Sequence, residues 1–319
     1  MAFLPLRERF SVPVYSAGLL VLACVGFAAM NAIIRHLATN LAVEPLMIVF
    51  CRNFFAFLVM VPWLMRGGAA VMKTNRLPLI SLRALIGFLS MALWFSALAI
   101  VPLSNAVALS FTAPLFAAVA AVLILGEVIR ARRMTALAIG FIGMLVILRP
   151  GSEPVGWGEL IVVFSAATMA LSVVTMKLLT RTEATPALVV WQNMLLTPVS
   201  FLPALLVWSW PSAEGWFWLV TVGVIATLSH LVFTRAFSLA DTTYLLPFDY
   251  IRLPIVAIIG WFAFSEPTDM WTWIGAAIIA SSTVYVAHRE SKMRSAGAAA
   301  EAVGSPDVTG RAVPPRDNG

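Results

Sequence analysis

The sequence predicts an all-α integral membrane protein with ten transmembrane helices, arranged as two inverted five-helix repeats. The prediction depends on an apolar composition, on ten long apolar runs, and on a match between the two halves of the chain. Of the 319 residues, 61% are apolar and 11% are charged, whereas about 25% of the residues of a soluble domain are charged. A soluble fold is excluded because its surface needs more charge, and a lipid bilayer is the expected partner.

Ten apolar runs predict the crossings, because a helix needs roughly 20 apolar residues to cross the hydrocarbon core. Most gaps between the runs are short, so consecutive helices are expected to be antiparallel neighbours. The predicted crossings are 16–38, 45–65, 77–99, 103–125, 134–149, 157–178, 187–208, 216–237, 243–265 and 271–288.

The distribution of Lys and Arg predicts the orientation. With a cytoplasmic N-terminus, 17 of the 21 cations fall at cytoplasmic ends and gaps, and Arg149 alone falls on the opposite side. The other three, Arg35, Arg52 and Arg252, lie within the spans. Because cationic loops stay in the cytoplasm, both termini are predicted to be cytoplasmic. Topology also explains the net charge of +6, so no nucleic-acid partner is expected.

The two ends of the chain lie outside the predicted crossings. Residues 1–15 are expected to be a cytoplasmic segment, and a cleavable signal peptide is disfavoured because the first apolar run is longer than a signal core. Residues 291–319 are rich in Ala, Gly, Pro and Ser and are expected to form a disordered cytoplasmic tail. Cys24 and Cys51 lie inside apolar runs and are expected to be packing residues.

The two halves of the chain match at a shift of about 140 residues, which indicates an internal repeat. FCRNFFAFLVMVPWL (50–64) aligns with VWQNMLLTPVSFLPA (190–204), so that Arg52 lies over Gln192. Further matches are Pro114 with Pro254, Glu127 with Glu266, and Arg35 with Lys177. Each match is weak alone, but their shared order and spacing favour a duplicated five-helix unit covering 16–149 and 157–288.

The odd number of helices in each unit connects the repeat to a function. Two copies of a five-helix unit joined by a short link must enter the membrane in opposite senses. Such inverted repeats let secondary transporters adopt two packings around a midplane site. Inverted repeats also occur in channels, so that alternative stays open.

The sequence resembles the drug/metabolite transporter superfamily, in particular its EamA-type ten-helix members, over about residues 16–288. The resemblance is carried by the twofold unit, by LSFTAPLFAAVAAVLILGE with GFIGMLVILRPG, and by SHLVFTRAFSLADTTYLLPFDYIRLPIVAIIGWFAFSE with WTWIGAAIIASS. It implies a multi-pass carrier of metabolites in the bacterial inner membrane, exporting in many members and importing in some. Ser265 precedes Glu266 where the family's repeat usually has Gly-Glu, as in Gly126-Glu127.

Asp249 and Arg252 are the leading candidates for contact with a substrate. Both lie within the ninth span, and their spacing of three residues places them on one helical face, close enough to pair. Since an ionisable group at mid-bilayer costs about 2.5–3.5 kcal/mol, each must face a cavity or a partner. Asp249 would exchange a proton or pair with a cation while Arg252 holds an anionic group. The alternative is a self-neutralising pair that only orients the helix.

Prolines near these residues predict broken helices. Pro247 and Pro254 should leave the carbonyls of Thr243 and Tyr250 without helical donors, and Pro114 should do the same to Ser110. Broken helices expose backbone acceptors where a carrier binds its cargo, although a simple packing kink is equally favoured.

Other polar residues within the spans are weaker candidates. His230 could couple transport to protons, with a neutral hydrogen bond as the alternative. Arg52 could contact substrate or gate the path, or could be a structural link to a carbonyl. Asn31 and Gln192 would add polar lining, or bond between helices.

Four aromatic residues could line a pocket for a flat or apolar cargo: Trp94, Phe111, Tyr244 and Tyr250. The alternative is packing against lipid or in the interfacial belt, which is the expected place for the tryptophans at the predicted outer ends.

The leading hypothesis is a secondary transporter for a small organic molecule, driven by an ion or substrate gradient. No G-x-x-x-x-G-K-[ST] loop occurs, so the chain itself is not expected to use ATP. The competing class is a membrane-embedded enzyme, but H-E-x-x-H and G-x-S-x-G are absent and the three histidines are scattered. No cofactor or metal is therefore expected, and a homodimer is left open.

Overall fold

A computed structural model of the protein describes residues 12–67, 74, 76–125, 131–149, 156–179, 182–183, 185–239, 245, 248–282 and 284–285. Within these residues all regular structure is helical and there is no strand, which confirms the all-α prediction for the described part of the chain. The predicted tail at 291–319 and most of the predicted N-terminal segment lie outside the described residues.

Helices lie in the predicted apolar runs, and most of their boundaries differ from the predicted ones by a few residues. In chain order they are α1 (Val12–Thr39), α2 (Pro45–Gly67), α3 (Leu77–Ile100), α4 (Leu103–Ser110), α5 (Ala113–Leu125), α6 (Ala131–Leu148), α7 (Trp157–Leu179), α8 (Thr185–Leu206), α9 (Ala213–Phe237), α10 (Arg252–Phe264) and α11 (Met270–Ser282). In the ninth run, predicted to begin at 243, the helix begins only at Arg252, so Asp249 lies before it and not on the same helix as Arg252.

The fourth predicted run contains two helices, α4 and α5. The chain leaves the α-helical pattern at Phe111 and Thr112, whose N–H groups donate to the carbonyls three residues earlier, at 3.2 and 3.0 Å. Pro114 follows directly and has no N–H to continue the ladder. A break therefore lies close to the middle of this run.

Five helical stretches are long and apolar enough to cross a membrane: Val14–Thr39, Leu77–Ile100, Leu103–Ile124, Trp157–Leu179 and Ala213–Phe237. Shorter apolar helices cover Pro45–Val59, Ala138–Leu148, Met194–Leu206, Arg252–Phe264 and Met270–Ser282.

The exterior of the bundle is apolar and its interior carries charge. Leu123 and Phe262 are 78% and 84% exposed, whereas Arg52 and Arg83 are buried. Contiguous apolar surface on this scale does not occur on soluble monomers. The bundle is therefore built for a lipid environment.

The contacts of α1 show that it runs parallel to α3. Asn31 contacts Trp94, and one turn later Arg35 contacts Leu98, so residue numbers rise together on both helices. The ends of α1 and α3 consequently lie at the same face of the bundle.

The contacts of α7 show that it runs antiparallel to α3. Ser90 and Ser165 each donate a hydroxyl hydrogen bond to the carbonyl of the other, at 3.1 and 2.9 Å. Arg83, two turns earlier, contacts Met176, which comes three turns later. Because α1 is parallel to α3, α1 and α7 run in opposite directions.

The other extensive helix pair, α1 with α9, is antiparallel as well. Gly26 lies against Ser229, and His36 lies against Trp218 near the start of α9. Together with α2, α3, α4 and α10, this pair encloses the main apolar core.

Helices α6 and α11 touch backbone to backbone. A Cβ atom added at Gly143 would lie 2.9 Å from the carbonyl oxygen of Gly275, and one added at Gly275 would lie 2.6 Å from that of Gly143. Ile279 packs on Gly143 while Ile147 packs on Gly275, so the contact is reciprocal. Small residues permit such close approach between membrane helices.

Candidate functional site

A pocket lies at the break between α4 and α5, opposite the beginning of α10. Its volume is about 180 Å³. The break supplies one wall and the turn that precedes α10 supplies the other. The lining residues are Ser110, Phe111, Ala113, Pro114, Asp249, Tyr250 and Arg252. Four sequence candidates, Phe111, Asp249, Tyr250 and Arg252, therefore meet in one place.

Charge and aromatic surface alternate around this pocket. Arg252 Nη2 lies 3.6 Å from Asp249 Oδ2, and the Arg252 guanidinium carbon lies 5.4 Å from the centre of the Phe111 ring. The rings of Phe111 and Tyr250 meet edge to face, with centroids 4.8 Å apart. About a quarter of each charged side chain stays exposed. The pocket thus offers an anion, a cation and two ring surfaces to a small molecule.

Helix α1 closes the pocket from behind. Cys24 Sγ lies 3.7 Å from Asp249 Oδ1 and 3.8 Å from the carbonyl oxygen of Phe248, and Cys24 is completely buried. Its thiol is a weak donor to both oxygens. Asp249 is therefore held between Arg252 and α1.

A second group of polar side chains, the polar core cluster, lies farther along α1. It consists of Asn31, Arg52, Asn53, Trp94 and His230, which come from α1, α2, α3 and α9. Trp94 Nε1 donates to Asn31 Oδ1 at 3.3 Å, and Arg52 Nη1 donates to Asn53 Oδ1 at 2.8 Å.

His230 belongs to this cluster through α1 and α2. Its ring packs edge to face on Phe27, with centroids 5.0 Å apart, and it lies within electrostatic range of Arg52. Although protein atoms crowd it, His230 is an exposed residue.

One face of α1 joins the pocket to the polar core cluster. Cys24, Phe27, Asn31 and Arg35 are spaced by three, four and four residues, which places them along one stripe of a helix. In this order they contact Asp249, His230, Trp94 and Glu266. The stripe follows the helix for about 16 Å at 1.5 Å per residue.

The stripe ends at an ion pair between Arg35 and Glu266. Arg35 Nη1 also donates to the carbonyls of Leu98 and Val101, at 2.7 and 2.6 Å. Glu266 Oε2 accepts from the backbone N–H of Leu103 at 2.9 Å. This arrangement, the Arg35 latch, ties α1 and the α3–α4 connection to the end of α10.

Two further ion pairs lie at the same face of the bundle. Arg149 pairs with Asp269 at 2.5 Å, and His36 Nε2 lies 3.6 Å from Glu214 Oε1. Both pairs are more exposed than the Arg35 latch. Beyond them, Trp208, Trp210 and Trp216 form a chain of aromatic contacts, as expected of an interfacial belt.

Comparison with known proteins identifies the family. The model of the EamA-like transporter family matches residues 15–149 and again residues 156–287. The chain belongs to the EamA-like transporter family. This match confirms the expected resemblance and the expected class of protein. The chain is a membrane-embedded, multi-pass transporter of a small metabolite.

Curated relatives cover almost the whole chain. A riboflavin transporter of Brucella anthropi is 32% identical over 278 residues, which cover 85% of this chain and 98% of that protein. A riboflavin transporter of Rhizobium johnstonii is also 32% identical, over 86% of this chain and 91% of that protein. An S-adenosylmethionine uptake transporter of Rickettsia felis is 31% identical, over 87% and 94%. These relatives are named as transporters and not as enzymes.

A solved crystal structure shares the fold of this EamA-like protein. The TM-score is 0.57 at 16% sequence identity, and the match covers 87% of this chain and 98% of that one. At this identity the likeness concerns the fold alone.

Among the remaining sequence candidates that the structure describes, Gln192 joins neither group. Gln192 of α8 lies beside Gly87 of α3, where an added Cβ would be 3.5 Å from its Nε2 atom. Tyr244 and Pro247 lie outside the described residues. In the described part of the EamA-like chain, no three His, Cys, Asp or Glu side chains come together as a metal site.

One expectation about the broken helices is wrong. Pro254 does not strip the carbonyl of Tyr250 of a donor, because the N–H of Leu253 donates to it at 3.1 Å. Helix α10 begins at Arg252, so Pro254 lies in the first turn, where a proline is tolerated.

Sequence reasoning missed three side chains. Arg83 is buried in α3, although it was counted among the cytoplasmic cations; only its Nη2 is bonded among the described residues, to Met176 Sδ at 3.2 Å. Asn53, which follows Arg52 in the aligned segment, is not among the sequence candidates. Glu266 was matched to Glu127 but not paired with Arg35. The burial of Arg83 could have been predicted, because this residue lies six residues inside an apolar run.

Proposed function

We propose that this protein is a secondary transporter that works by alternating access between two five-helix halves, 16–149 and 157–288. The family model matches each half separately. The first helices of the halves, α1 and α7, run in opposite directions, which is the arrangement expected of an inverted repeat. Two such halves have two alternative packings around a site near the midplane.

Helix contacts support the duplication. In the two halves, α7 corresponds to α1 and α9 corresponds to α3. The α1–α9 pair therefore corresponds to the α7–α3 pair, and these are the two most extensive helix contacts. Helices α6 and α11 correspond to each other, so their contact should look the same from either half. It does, because Ile279 packs on Gly143 while Ile147 packs on Gly275. The two halves therefore meet as equivalent units.

The proposed topology has ten crossings of the bacterial inner membrane, with both termini in the cytoplasm. The excess of Lys and Arg on one side supports this orientation. The Arg35 latch and the Arg149–Asp269 pair then lie at the periplasmic face, because α1 begins in the cytoplasm. No enzymatic step is assigned to the chain.

The proposed cargo is a molecule that joins a flat heteroaromatic ring to a polar chain. The observation that carries this proposal is the pocket in which Phe111 and Tyr250 present ring surfaces next to the Asp249–Arg252 pair. Riboflavin and S-adenosylmethionine, which give the relatives their names, both have this construction. Riboflavin is the first cargo to test, because two relatives at 32% identity are riboflavin transporters.

The charged pair is proposed to couple binding to an ion gradient. Asp249 is partly exposed in the pocket and has Arg252 and Cys24 as its described side-chain neighbours. A cargo group that bonds to Arg252 would draw it away from Asp249. The carboxylate would then gain a proton or a cation, which travels with the cargo or against it.

The test is riboflavin exchange in proteoliposomes that contain the purified full chain. We expect saturable uptake of labelled riboflavin, accelerated by unlabelled riboflavin on the opposite side. Such counterflow distinguishes a carrier from a channel. Arg252→Ala should weaken riboflavin binding, whereas Arg149→Ala, at the far face of the bundle, should not. The cargo proposal is wrong if the parent neither binds nor exchanges riboflavin and S-adenosylmethionine.

A further inference from the structure

The polar core cluster contains a buried cation, Arg52, that no carboxylate of the described residues neutralises. Arg52 is 8% exposed and Asn53 is 2% exposed. Nη1 is the only guanidinium nitrogen of Arg52 that bonds within the described residues, and its partners are Asn53 Oδ1 at 2.8 Å and Met91 Sδ at 3.9 Å. Arg52 Nε and Asn53 Nδ2 are buried without a partner. Two adjacent residues therefore hold unused donors at one place.

This arrangement is unfavourable for a side chain with a purely structural role. A cation in the middle of a membrane helix costs about 2.5–3.5 kcal/mol even when the surrounding protein adapts, and a buried donor without an acceptor costs about 1–3 kcal/mol more. The neutral amide and thioether next to Arg52 cannot balance its charge. By contrast Arg35, also within a span, has Glu266 and two carbonyl acceptors.

The surroundings of Arg52 contain further polar side chains. His230 lies within electrostatic range of Arg52 and is an exposed residue, and Trp94, one turn beyond the Arg52 neighbour Met91 on α3, donates to Asn31. Along α1, Asn31 is seven residues beyond Cys24, which contacts Asp249. At 1.5 Å per residue the two places are about 10 Å apart, a distance that one metabolite can span.

We propose that Arg52 and Asn53 form an oxyanion site, which binds a carboxylate or phosphate group of the cargo. This inference rests on the proposed function and narrows its cargo to molecules whose polar chain carries an anion. S-adenosylmethionine, with its carboxylate, meets this condition, whereas riboflavin, whose chain ends in a neutral hydroxyl, does not. The ring of the cargo lies against Phe111 and Tyr250 in the pocket, and the anion accepts hydrogen bonds from the free donors of Arg52 and Asn53. A guanidinium presents parallel N–H groups to the two oxygens of such a group.

Thermal unfolding of the purified full chain tests the site without knowledge of the cargo. Inorganic phosphate and acetate, at tens of millimolar and at constant ionic strength against chloride, are the probes. Binding of either to the native state raises the melting temperature, and comparison of the two tells a phosphate site from a carboxylate site. We expect at least one anion to raise the melting temperature of the parent by a few degrees. In Arg52→Gln the same anion should raise the melting temperature much less.

The matched control is Arg83→Gln, which removes another buried and incompletely bonded guanidinium. It should keep the anion effect. Without anion, Arg52→Gln should unfold no earlier than the parent, since it removes an unbalanced charge, and glutamine occupies the matching position 192. A purely structural Arg52 would make the variant unfold earlier.

The inference is wrong if neither anion stabilises the parent, or if Arg52→Gln keeps the anion effect. Failure to bind or exchange both riboflavin and S-adenosylmethionine would instead contradict the proposed cargo, and the anion measurement would still stand. Arg52→Lys gives a further readout, because a single ammonium retains the charge but not the paired donors. In Arg52→Lys the anion should raise the melting temperature less than it does in Arg83→Gln.

Discussion

Arg35, at the end of the first helix, forms an ion pair with Glu266, which follows the tenth. The pair joins the beginning of the chain to its second half, and both residues also bond to the backbone of the α3–α4 connection. A side chain on one half thus holds the ends of three helices at one face of the bundle.

We expect Arg35→Gln to destabilise the protein by about 2–4 kcal/mol, because it leaves the Glu266 carboxylate mostly buried and without its cation. The measurement is unfolding in detergent by heat or denaturant. The control is Arg149→Gln, whose pair with Asp269 is more exposed and should be worth about 1 kcal/mol or less. Equal losses in the two variants would contradict the role of the latch.

Replacing the aromatic pair should weaken binding of a flat cargo. Tyr250→Ala or Phe111→Ala removes one ring surface of the pocket, which should reduce riboflavin affinity about three- to tenfold. Quenching of flavin fluorescence measures this. Phe262→Ala is the control, since Phe262 is 84% exposed on the exterior. If the exterior variant loses as much affinity as the pocket variants, the ring of the cargo does not bind against Phe111 and Tyr250.

Asp249→Asn tests coupling. The change keeps the shape of the side chain but removes its charge, so transport or its pH dependence should disappear while the protein stays in the membrane. Uptake into proteoliposomes at several pH values measures it, with Glu214→Gln as an exposed control. Unchanged and equally pH-dependent transport would reject Asp249 as the coupling residue.

Close packing of α1 on α9 should be sensitive to a single methyl group. A Cβ at Gly26 would collide with Ser229, whereas one at Gly18 would meet nothing within 4 Å. Gly26→Ala should therefore cost about 1–3 kcal/mol, and Gly18→Ala should change stability by less than about 1 kcal/mol. Adding Ser229→Gly to Gly26→Ala should restore stability. Without this rescue, the cost does not arise from the contact between the two helices.

Much of the fold was predictable because the bilayer leaves few choices. Apolar runs become helices, since every backbone group must bond within its own segment, and most predicted boundaries agree with the helices to within a few residues. The ninth run is the exception, because its helix begins at Arg252 and not at 243. The break at Phe111–Thr112 was predictable only in part. Pro114 indicates that the helix breaks near this point, but the hydrogen bonds of Phe111 and Thr112 depend on the packing around them.

The pocket was partly predictable for a similar reason. Asp249 and Arg252 are three residues apart on one chain segment, so local geometry alone brings them together. Their meeting with Phe111 depends on contacts across more than a hundred residues, and the sequence gives no distance of that kind. The pairing of Arg35 with Glu266 was missed because the two residues are 231 positions apart.

Departure from the family pattern at Ser265 also has a structural meaning. Ser265 ends α10 in the left-handed conformation, with φ 54°, which glycine adopts more easily. The Gly-Glu sequence usual in the family suits this turn. Serine accepts the less favourable backbone there, and the turn still brings Glu266 to Arg35.

The bare contact between Gly143 and Gly275 limits how the molecule can change shape. With no side chain between the two backbones, sliding one helix along the other would drive Ile147 and Ile279 out of the notches that they occupy. A small rotation at the crossing point leaves these notches filled. In the alternating access that we propose, the crossing of α6 and α11 would therefore be the pivot about which one half rotates against the other.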